Sequence, residues 1–576
     1  MAETCVHVFA RLAAAHPERI AVRHNGSSLT YRQLARRAGA VAERLRARGV
    51  RPGDVVATLV DRSAGAIVAA LGAWAAGAAY AHVDPADPDA RVAALVGLTG
   101  ARVVLADAAN AGRAPGALPL TDEERDLRPE AGDLAYLVFT SGSTGEPKAV
   151  AVGHASVLNY LRGLRERVDP WPDSFAGTTT FASDLGNTSV FGALLTGGRL
   201  DVLDRETVLD GEAFAARVRE VAAVKCTPSQ LEALARQTGD LRPLLPRDVL
   251  LLGGEVFPPR LARAIRSAAP ELRVFNHYGP SETTIGVLVH EVSTVDGVVP
   301  IGRPLAGVVA EVVDDAGRPV ADGAPGRLLI GGAALARGYF GDPARTSAVF
   351  TGEGAARRYA TGDLVRRTAD GYEFLGRADR QLKVRGHRVE PAEVERALLT
   401  APGVDAALVV ADAPAPDAPL ELVAYLVGTA DPVAVTRHLA ALLPSGHVPS
   451  RVHRVPHLPT TANGKVDLVA VRALAEAAQD APAAPAPAAA PSGGTELLVA
   501  GIWCEVLGRE SVATDVKFAE LGGDSFKSLA VFGRLRRHFP ALTIGQLFAH
   551  PTVGELAAVI AGGPAAARPA TTVVEL

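Results

Sequence analysis

Residues 134–150 read LAYLVFTSGSTGEPKAV. Six apolar residues in a row have the pattern of a buried strand. The strand runs into Thr140-Ser141-Gly142-Ser143-Thr144-Gly145, then Glu146-Pro147-Lys148. Glycines and hydroxyls at this density let backbone N–H and side-chain O–H groups surround a polyphosphate, with Lys148 adding positive charge. The spacing G-x-x-x-x-G-K-[ST] is absent, so this is not a Walker A loop. Taken by itself, SGSTG is also an ordinary Ser/Gly turn. The flanking chain has to decide.

On both sides of this loop, from residue 20 to about 375, strand-like runs alternate with helical ones: VVATLV (55–60), ARVVLA (101–106), VAAVKCTP (221–228) and DVLLLGGE (248–255). That alternation predicts an α/β architecture with largely parallel sheets. The first 22 residues read as an amphipathic helix and a strand, without the charged start and apolar centre of a signal peptide. Residues 64–83 are alanine-rich but interrupted by Gly72 and Gly77, a buried helix and strand instead of a membrane span. From about residue 379 a βαβ-like unit begins, with PAEVERALLTAPGV (391–404) as helix and AALVVAD (406–412) and ELVAYLV (421–427) as strands. Residues 476–494 are Ala/Pro-rich and nearly uncharged, the composition of a semi-extended linker. Helical periodicity without strand runs then fills residues 495–562.

A chain of 576 residues exceeds what one hydrophobic core supports, so several domains are expected. The expected fold class is α/β multidomain: a large core at 1–378 with parallel and mixed sheets, a small α+β subdomain at 379–475, the linker, a four-helix bundle at 495–565, and a tail at 566–576. The 59 basic and 63 acidic residues give a net charge of −4, which leaves no global footprint for nucleic acid. Three scattered cysteines build neither a disulfide framework nor a zinc site. These features predict a cytoplasmic protein that binds neither membrane nor nucleic acid. His453 and His457 have metal-like spacing but sit among prolines with no carboxylate beside them, and are read as non-functional.

Seven ordered motifs resemble those of the adenylate-forming enzymes, specifically the adenylation domains of nonribosomal peptide synthetases. They are LTYRQL (29–34), FTSGSTGEPK (139–148), NHYGPSETT (276–284), GRLLIGGAALARGYF (326–340), YATGDL (359–364), GRADRQLKVRGHRVEPAEVE (376–395) and NGKVD (463–467). FAELGGDSFKSL (518–529) resembles the attachment motif of a peptidyl carrier domain. The resemblance implies an ATP-dependent ligase that couples an amino acid carboxylate to AMP, expels pyrophosphate, and passes the acyl group to a phosphopantetheine thiol. It implies Lys465 as the mobile catalytic lysine, Glu282 as the Mg²⁺-associated carboxylate, and Thr283 as a phosphate contact. Thr140, Ser141, Gly142, Ser143, Thr144, Gly145 and Lys148 would surround the phosphates. Tyr278 would stack near adenine, Asp363 would hold the ribose hydroxyls, and Arg377 would add positive charge nearby. Asp379 falls at the family's hinge, and Ser525 at the phosphopantetheine attachment serine. Asp524 stands where many carrier domains have histidine, a weak hint of an unusual downstream partner.

One residue asks a separate question. Lys225 sits inside the apolar run VAAVKCTPSQL (221–231), where an ammonium loses water and needs an anion. A strand-end lysine that snorkels to solvent is the bland reading. The resemblance points elsewhere. Matching SDLGNTSVFGALLTGG (183–198) places Asp184 at the carboxylate that pairs with a substrate α-ammonium, although Ser183 replaces the usual phenylalanine before it. Leu185, Thr188, Lys225, Leu251, Gly253, His277, Ile285 and Gly286 fall on the pocket wall, with Lys465 at the mouth. Related pockets with this wall take aspartate or asparagine, and those with histidine at the His277 position resemble the aspartate type. L-Aspartate is therefore the expected substrate, with asparagine or a β-substituted aspartate as alternatives. An acid–CoA ligase and a non-catalytic carrier scaffold are the rival functions; Asp184 and the fused carrier speak against the first, and intact Lys465, Glu282 and Asp363 against the second. No HHxxxDG or G-x-S-x-G motif occurs, so the thioester is expected to be used in trans, by a separate synthetase module or a tailoring enzyme. A phosphopantetheinyl transferase is an implied partner, and an MbtH-like helper a further one.

Overall fold

The computed structural model describes residues 3–114, 116–130, 132–142, 145–293, 297–413, 420–459, 466–479, 491–509, 511–521, 523 and 525–562. It divides into two compact units, Met1–Glu393 and Val394–Leu576.

The first unit is built on three sheets. A nine-stranded sheet runs, edge to edge, Arg303–Pro304, Leu288–Glu291, Arg273–Tyr278, Val249–Gly253, Ala223–Cys226, Ser174–Gly177, Arg199–Val202, Ile20–His24, Ser27–Thr30. Its centre, from Arg273–Tyr278 to Ile20–His24, is parallel. A seven-stranded sheet carries Leu134–Thr140 antiparallel to Lys148–Gly153, so the glycine-hydroxyl loop joins two neighbouring strands. One continuous core joins these sheets, with Leu251 and Phe275 from the first and Tyr136 and Val150 from the second. The opposite face of the nine-stranded sheet buries Val224, Leu250, Leu252 and Val274 in a second core. A third, five-stranded antiparallel sheet spans residues 308–377 and packs Val312, Leu328, Ile330 and Val365 together. A hairpin, Leu382–Val384 with His387–Val389, follows it.

Local chemistry explains several motifs. In LTYRQL, Thr30 and Gln33 form a reciprocal capping box that starts the helix Tyr31–Ala47. Buried Tyr31 donates to the Gly198 carbonyl at 2.8 Å. That motif is scaffold. After Lys225, Thr227 caps the helix Pro228–Thr238 and Pro228 occupies its first turn, so the strand stops where TPSQ begins.

In the second unit, Val404–Asp412 and Glu421–Gly428 pair antiparallel, and Arg451–Arg454 adds parallel to the latter. The βαβ unit is therefore Glu421–Gly428, helix Pro432–Ala440 and Arg451–Arg454, not the two strands expected from residue 406 onward. A two-strand antiparallel connection leaves the same apolar alternation as a parallel one, so sequence pattern cannot separate them. Among the described residues, four α-helices follow residue 491: Gly494–Leu507, Ser525–His538, Ile544–Ala549 and Val553–Ala561. Most of the Ala/Pro linker and the tail lie outside the described residues. No described helix is long and apolar enough to cross a membrane.

Candidate active site

Register brings the expected pocket wall together. Lys225 pairs with Leu251 across parallel strands, and Gly253, two residues on, pairs with His277. Residues two apart on a strand share a face, so Lys225, Leu251, Gly253 and His277 line one side of the sheet. Lys225 is fully buried, with Nζ 2.8 Å from Nδ1 of His277. Burial pushes the Lys225 ammonium down to about 7, partly opposed by Cys226 and Asp184. Burial, then the charge of Lys225, hold His277 well below the usual histidine range. His277 is thus a neutral ring beside a cation.

Two glycines make this possible. A Cβ on Gly253 would lie 2.7 Å from Lys225 Nζ and 2.4 Å from the His277 carbonyl oxygen. A Cβ on Gly286 would meet His277 Cε1 at 2.0 Å. Neither space exists for a side chain. Before Gly286 the chain turns through Thr284 and Ile285 with φ of 63° and 67°. Left-handed backbone at two consecutive β-branched residues costs about 1–3 kcal/mol each, and such strain gathers at binding sites.

Asp184 lies in a single 3-10 turn, Asp184–Gly186, that leads into the helix Asn187–Leu194 bearing Thr188. The side chain of Ser183 starts that turn by accepting from Leu185 N at 3.4 Å, so the departure from the family's phenylalanine leaves a working cap. The Oδ2 atom of Asp184 is buried and has no hydrogen-bond partner. Burial lifts its carboxyl to about 6, against a Ser281 hydrogen bond. A sealed carboxylate oxygen without a donor suits a ligand ammonium. Thr188 meets the wall through Tyr160, whose hydroxyl is 2.8 Å from Thr188 Oγ1 and 3.4 Å from His277 Nε2.

A second cluster forms around Glu282, which is fully buried. Its Oε1 accepts from Tyr339 OH at 2.8 Å and lies 3.3 Å from Lys148 Nζ; its Oε2 accepts from Arg388 at 2.6 Å. Burial alone would raise this carboxyl, but Arg388 and Lys148 outweigh it and hold it far below the usual range. In the loop, a Cβ on Gly142 would strike the Glu146 carbonyl oxygen at 2.0 Å, and Gly145 N–H donates to the Gly142 carbonyl at 2.7 Å. Ser141 Oγ donates to the Arg388 carbonyl at 2.7 Å. Thr140 Oγ1 is buried without a partner, a donor available to a phosphate oxygen. Thr283 spends its hydroxyl on the Pro280 carbonyl at 2.9 Å.

Beside this cluster, the Asp363 carboxylate accepts from Tyr278 OH and from Arg377. Arg377 also holds Asp379 through two bonds of 2.7 Å. Lys383 stands 5.3 Å over the Tyr278 ring, its ammonium pushed down by burial and supported by Asp363.

Family models describing an AMP-binding enzyme, its C-terminal domain and a phosphopantetheine attachment site match residues 9–340, 393–465 and 498–560. The chain belongs to the AMP-binding enzyme family. It is 33% identical over 610 residues to surfactin synthase subunit 2 of Bacillus subtilis (strain 168), covering 98% of this chain and 17% of that one. It is 35% identical to tyrocidine synthase 3 of Brevibacillus parabrevis, covering 97% and 9%. The chain thus spans less than a fifth of the length of either relative. Among solved structures it resembles holo-PA1221, a nonribosomal peptide synthetase protein containing adenylation and PCP domains bound to a vinylsulfonamide inhibitor, with TM-score 0.80, 26% identity, and coverage of 97% of this chain and 96% of that one.

In this AMP-binding enzyme the structure gathers most of the residues singled out from sequence, but not all. Ser143, Thr144, Asp524 and Lys465 lie outside the described residues, and Ser525 is placed only as the first residue of its helix. Three residues went unassigned: Tyr160, Tyr339 and Arg388. Tyr160 shares its helix face with buried Val157, Leu161 and Leu164, so it reads as core. Arg388 is one of several cations in RADRQLKVRGHR, and no spacing sets it apart. The donor set suits a nucleotide: an unpartnered Thr140 hydroxyl, Lys148, and a single carboxylate. Mg²⁺ commonly takes one or two carboxylates and completes its shell with phosphates and water, which the single carboxylate of Glu282 fits.

Proposed function

We propose that this enzyme activates L-aspartate with ATP as aspartyl-AMP and transfers it to a phosphopantetheine thiol on Ser525. One observation supports the substrate assignment: a fully buried lysine, Lys225, lies within electrostatic reach of Asp184, whose Oδ2 is buried and unpartnered. A ligand with one ammonium and one side-chain carboxylate satisfies both. Its ammonium pairs with Asp184 and its β-carboxylate with Lys225, which leaves the α-carboxylate for activation.

The chemistry joins two anions, so fixed positive charge has to offset their repulsion. An α-carboxylate oxygen attacks the α-phosphorus and pyrophosphate leaves. Lys148 and the hydroxyls of the 140–145 loop hold the phosphates, and Lys465 is assigned to the carboxylate and α-phosphate by its motif. Mg²⁺ held through Glu282 supplies charge neutralisation of the phosphates. Ser525 would carry phosphopantetheine, which would supply a thiol nucleophile for the acyl group. Asp363 offers carboxylate oxygens to the ribose, and the Arg377–Asp379 pair marks the hinge. A phosphopantetheinyl transferase is required, and a separate synthetase module or tailoring enzyme receives the thioester. An MbtH-like helper is a further candidate partner.

An amino acid panel in ATP–pyrophosphate exchange, followed by intact mass of the loaded carrier, tests this reading. Aspartate is expected to give the fastest exchange. Ser525→Ala is expected to leave exchange intact and abolish the aspartyl mass gain. Faster exchange with asparagine or an apolar amino acid overturns the substrate assignment, and loading of the alanine variant overturns the attachment site.

A further inference from the structure

Tyr160 belongs to none of the motifs above, yet it is 1% exposed and touches two wall residues at once. Its ring also meets His277 edge-on, with centroids 5.7 Å apart. Hydrogen-bond polarity fixes what this contact does. A lysine ammonium is donor only, so at 2.8 Å Nδ1 of His277 has to accept from it. A neutral imidazole that accepts at Nδ1 carries its proton on Nε2. That N–H points to the Tyr160 oxygen, and the tyrosine proton is then free to go to Thr188 Oγ1. The donors run one way from Lys225 to His277 to Tyr160, while between Tyr160 and Thr188 either hydroxyl can donate. Reversing the His277–Tyr160 link would put an N–H on Nδ1, facing the ammonium.

We propose that Tyr160 is a positioning residue for substrate selection: it locks His277 in the Nε2–H tautomer, and so keeps the Lys225 ammonium charged and aimed into the pocket. This rests on the assignment of Lys225 to a substrate carboxylate. Without the tyrosine hydroxyl, the buried Nε2–H has no acceptor, and the Nδ1–H tautomer gains population. Nδ1–H facing the ammonium favours loss of the lysine proton. The ionisable groups facing Lys225 are Asp184 from the turn, His277 from the strand on the far side of Val249–Gly253 and Cys226 on its own strand; Tyr160 itself is faced by Asp184 and Tyr136. Only the His277 contact depends on Tyr160.

The test is Tyr160→Phe in the full-length chain. Expected is a roughly tenfold rise in KM for aspartate in pyrophosphate exchange with little change in kcat, a smaller change for asparagine, and an alkaline limb of kcat/KM moved about one pH unit lower. Histidine ¹⁵N–¹H NMR of the wild type is expected to show His277 protonated at Nε2, and of the variant a mixture of tautomers. A wild-type signal at Nδ1, or an unchanged tautomer together with an unmoved alkaline limb in the variant, overturns the proposal. The tautomer measurement needs no substrate, so it stands apart from the aspartate assignment: a wild type that prefers another amino acid sinks that assignment while the tautomer still decides the role of Tyr160.

Discussion

The two ionic clusters of the first unit solve the problem of buried charge in opposite ways. Around Glu282, each carboxylate oxygen has a cation or hydroxyl of the protein upon it, from Lys148, Tyr339 and Arg388. Around Lys225, the protein supplies one neutral ring nitrogen to the ammonium and leaves Asp184 Oδ2 with nothing. The first cluster is self-sufficient. The second is incomplete, and under the proposed function the substrate completes it.

That contrast can be broken most directly at Lys225. Lys225→Met is expected to lower kcat/KM for aspartate by about a hundredfold to a few thousandfold, since losing one partner of a desolvated pair costs on the order of 3–5 kcal/mol. Asparagine should lose less, so the preference between the two shrinks. Survival of aspartate turnover with its preference intact would return Lys225 to a structural role.

Arg388→Met probes the self-sufficient cluster. Lys148 remains on Glu282, so the expected loss is about 1–3 kcal/mol, seen as roughly tenfold to hundredfold faster amide exchange in the hairpin Leu382–Val389. The carboxyl of Glu282 is held below its unfolded value, so its contribution is present above the usual glutamate range and fades as pH falls below it. Unchanged exchange in this hairpin would mean that the ion pair holds nothing in place.

The incomplete cluster should also show in the pH profile. Aspartate binding as proposed needs Asp184 ionised and Lys225 protonated, and burial moves these groups to about 6 and about 7. The kcat/KM for aspartate is expected to peak between them and fall about tenfold per unit on either side. With asparagine the alkaline limb should flatten, because no anion faces the lysine. A flat profile for aspartate from pH 5 to 9 would contradict this.

The smallest effect is on stability. A lysine whose ammonium is pushed down on folding destabilises most below pH 7, and that cost shrinks as pH rises toward the unfolded value of 10.5. Lys225→Met is therefore expected to raise Tm by roughly a few degrees near pH 6–7, with the gain vanishing toward pH 10. A lowered Tm at pH 6–7 would show the lysine to be satisfied without substrate.

What was legible in sequence follows the same division. Lys225 stood out because a cation in an apolar strand run breaks a strong pattern; the strand is there, but the direct contact between its ammonium and the His277 ring was not part of that reading. Tyr160 did not stand out, since a tyrosine on the apolar face of a helix obeys its pattern. Arg388 was lost among neighbouring cations. The short parallel strands were readable from Val/Leu runs, whereas the antiparallel sheet over 308–377 is interrupted by glycine and proline and was absorbed into a general alternation. Partner choice between strands depends on distant chain, which no local window contains.

The bare backbone at Gly253 and Gly286 has an evolutionary consequence. Because the His277 ring occupies the space that a methyl group would need, Gly286→Ala is blocked while that side chain stands and becomes permissible only after it has been shortened, whereas Gly253→Ala stays blocked by the His277 carbonyl oxygen. Mutations in this pocket are therefore ordered. A lineage, or an engineer, moving to a new substrate has to give up the old one first, passing through a pocket that is wide and unselective. The same order, run backward, holds for the return path: once an alanine at 286 has filled the gap, restoring the histidine clashes until the glycine returns. Specificity here changes by a ratchet, not by drift.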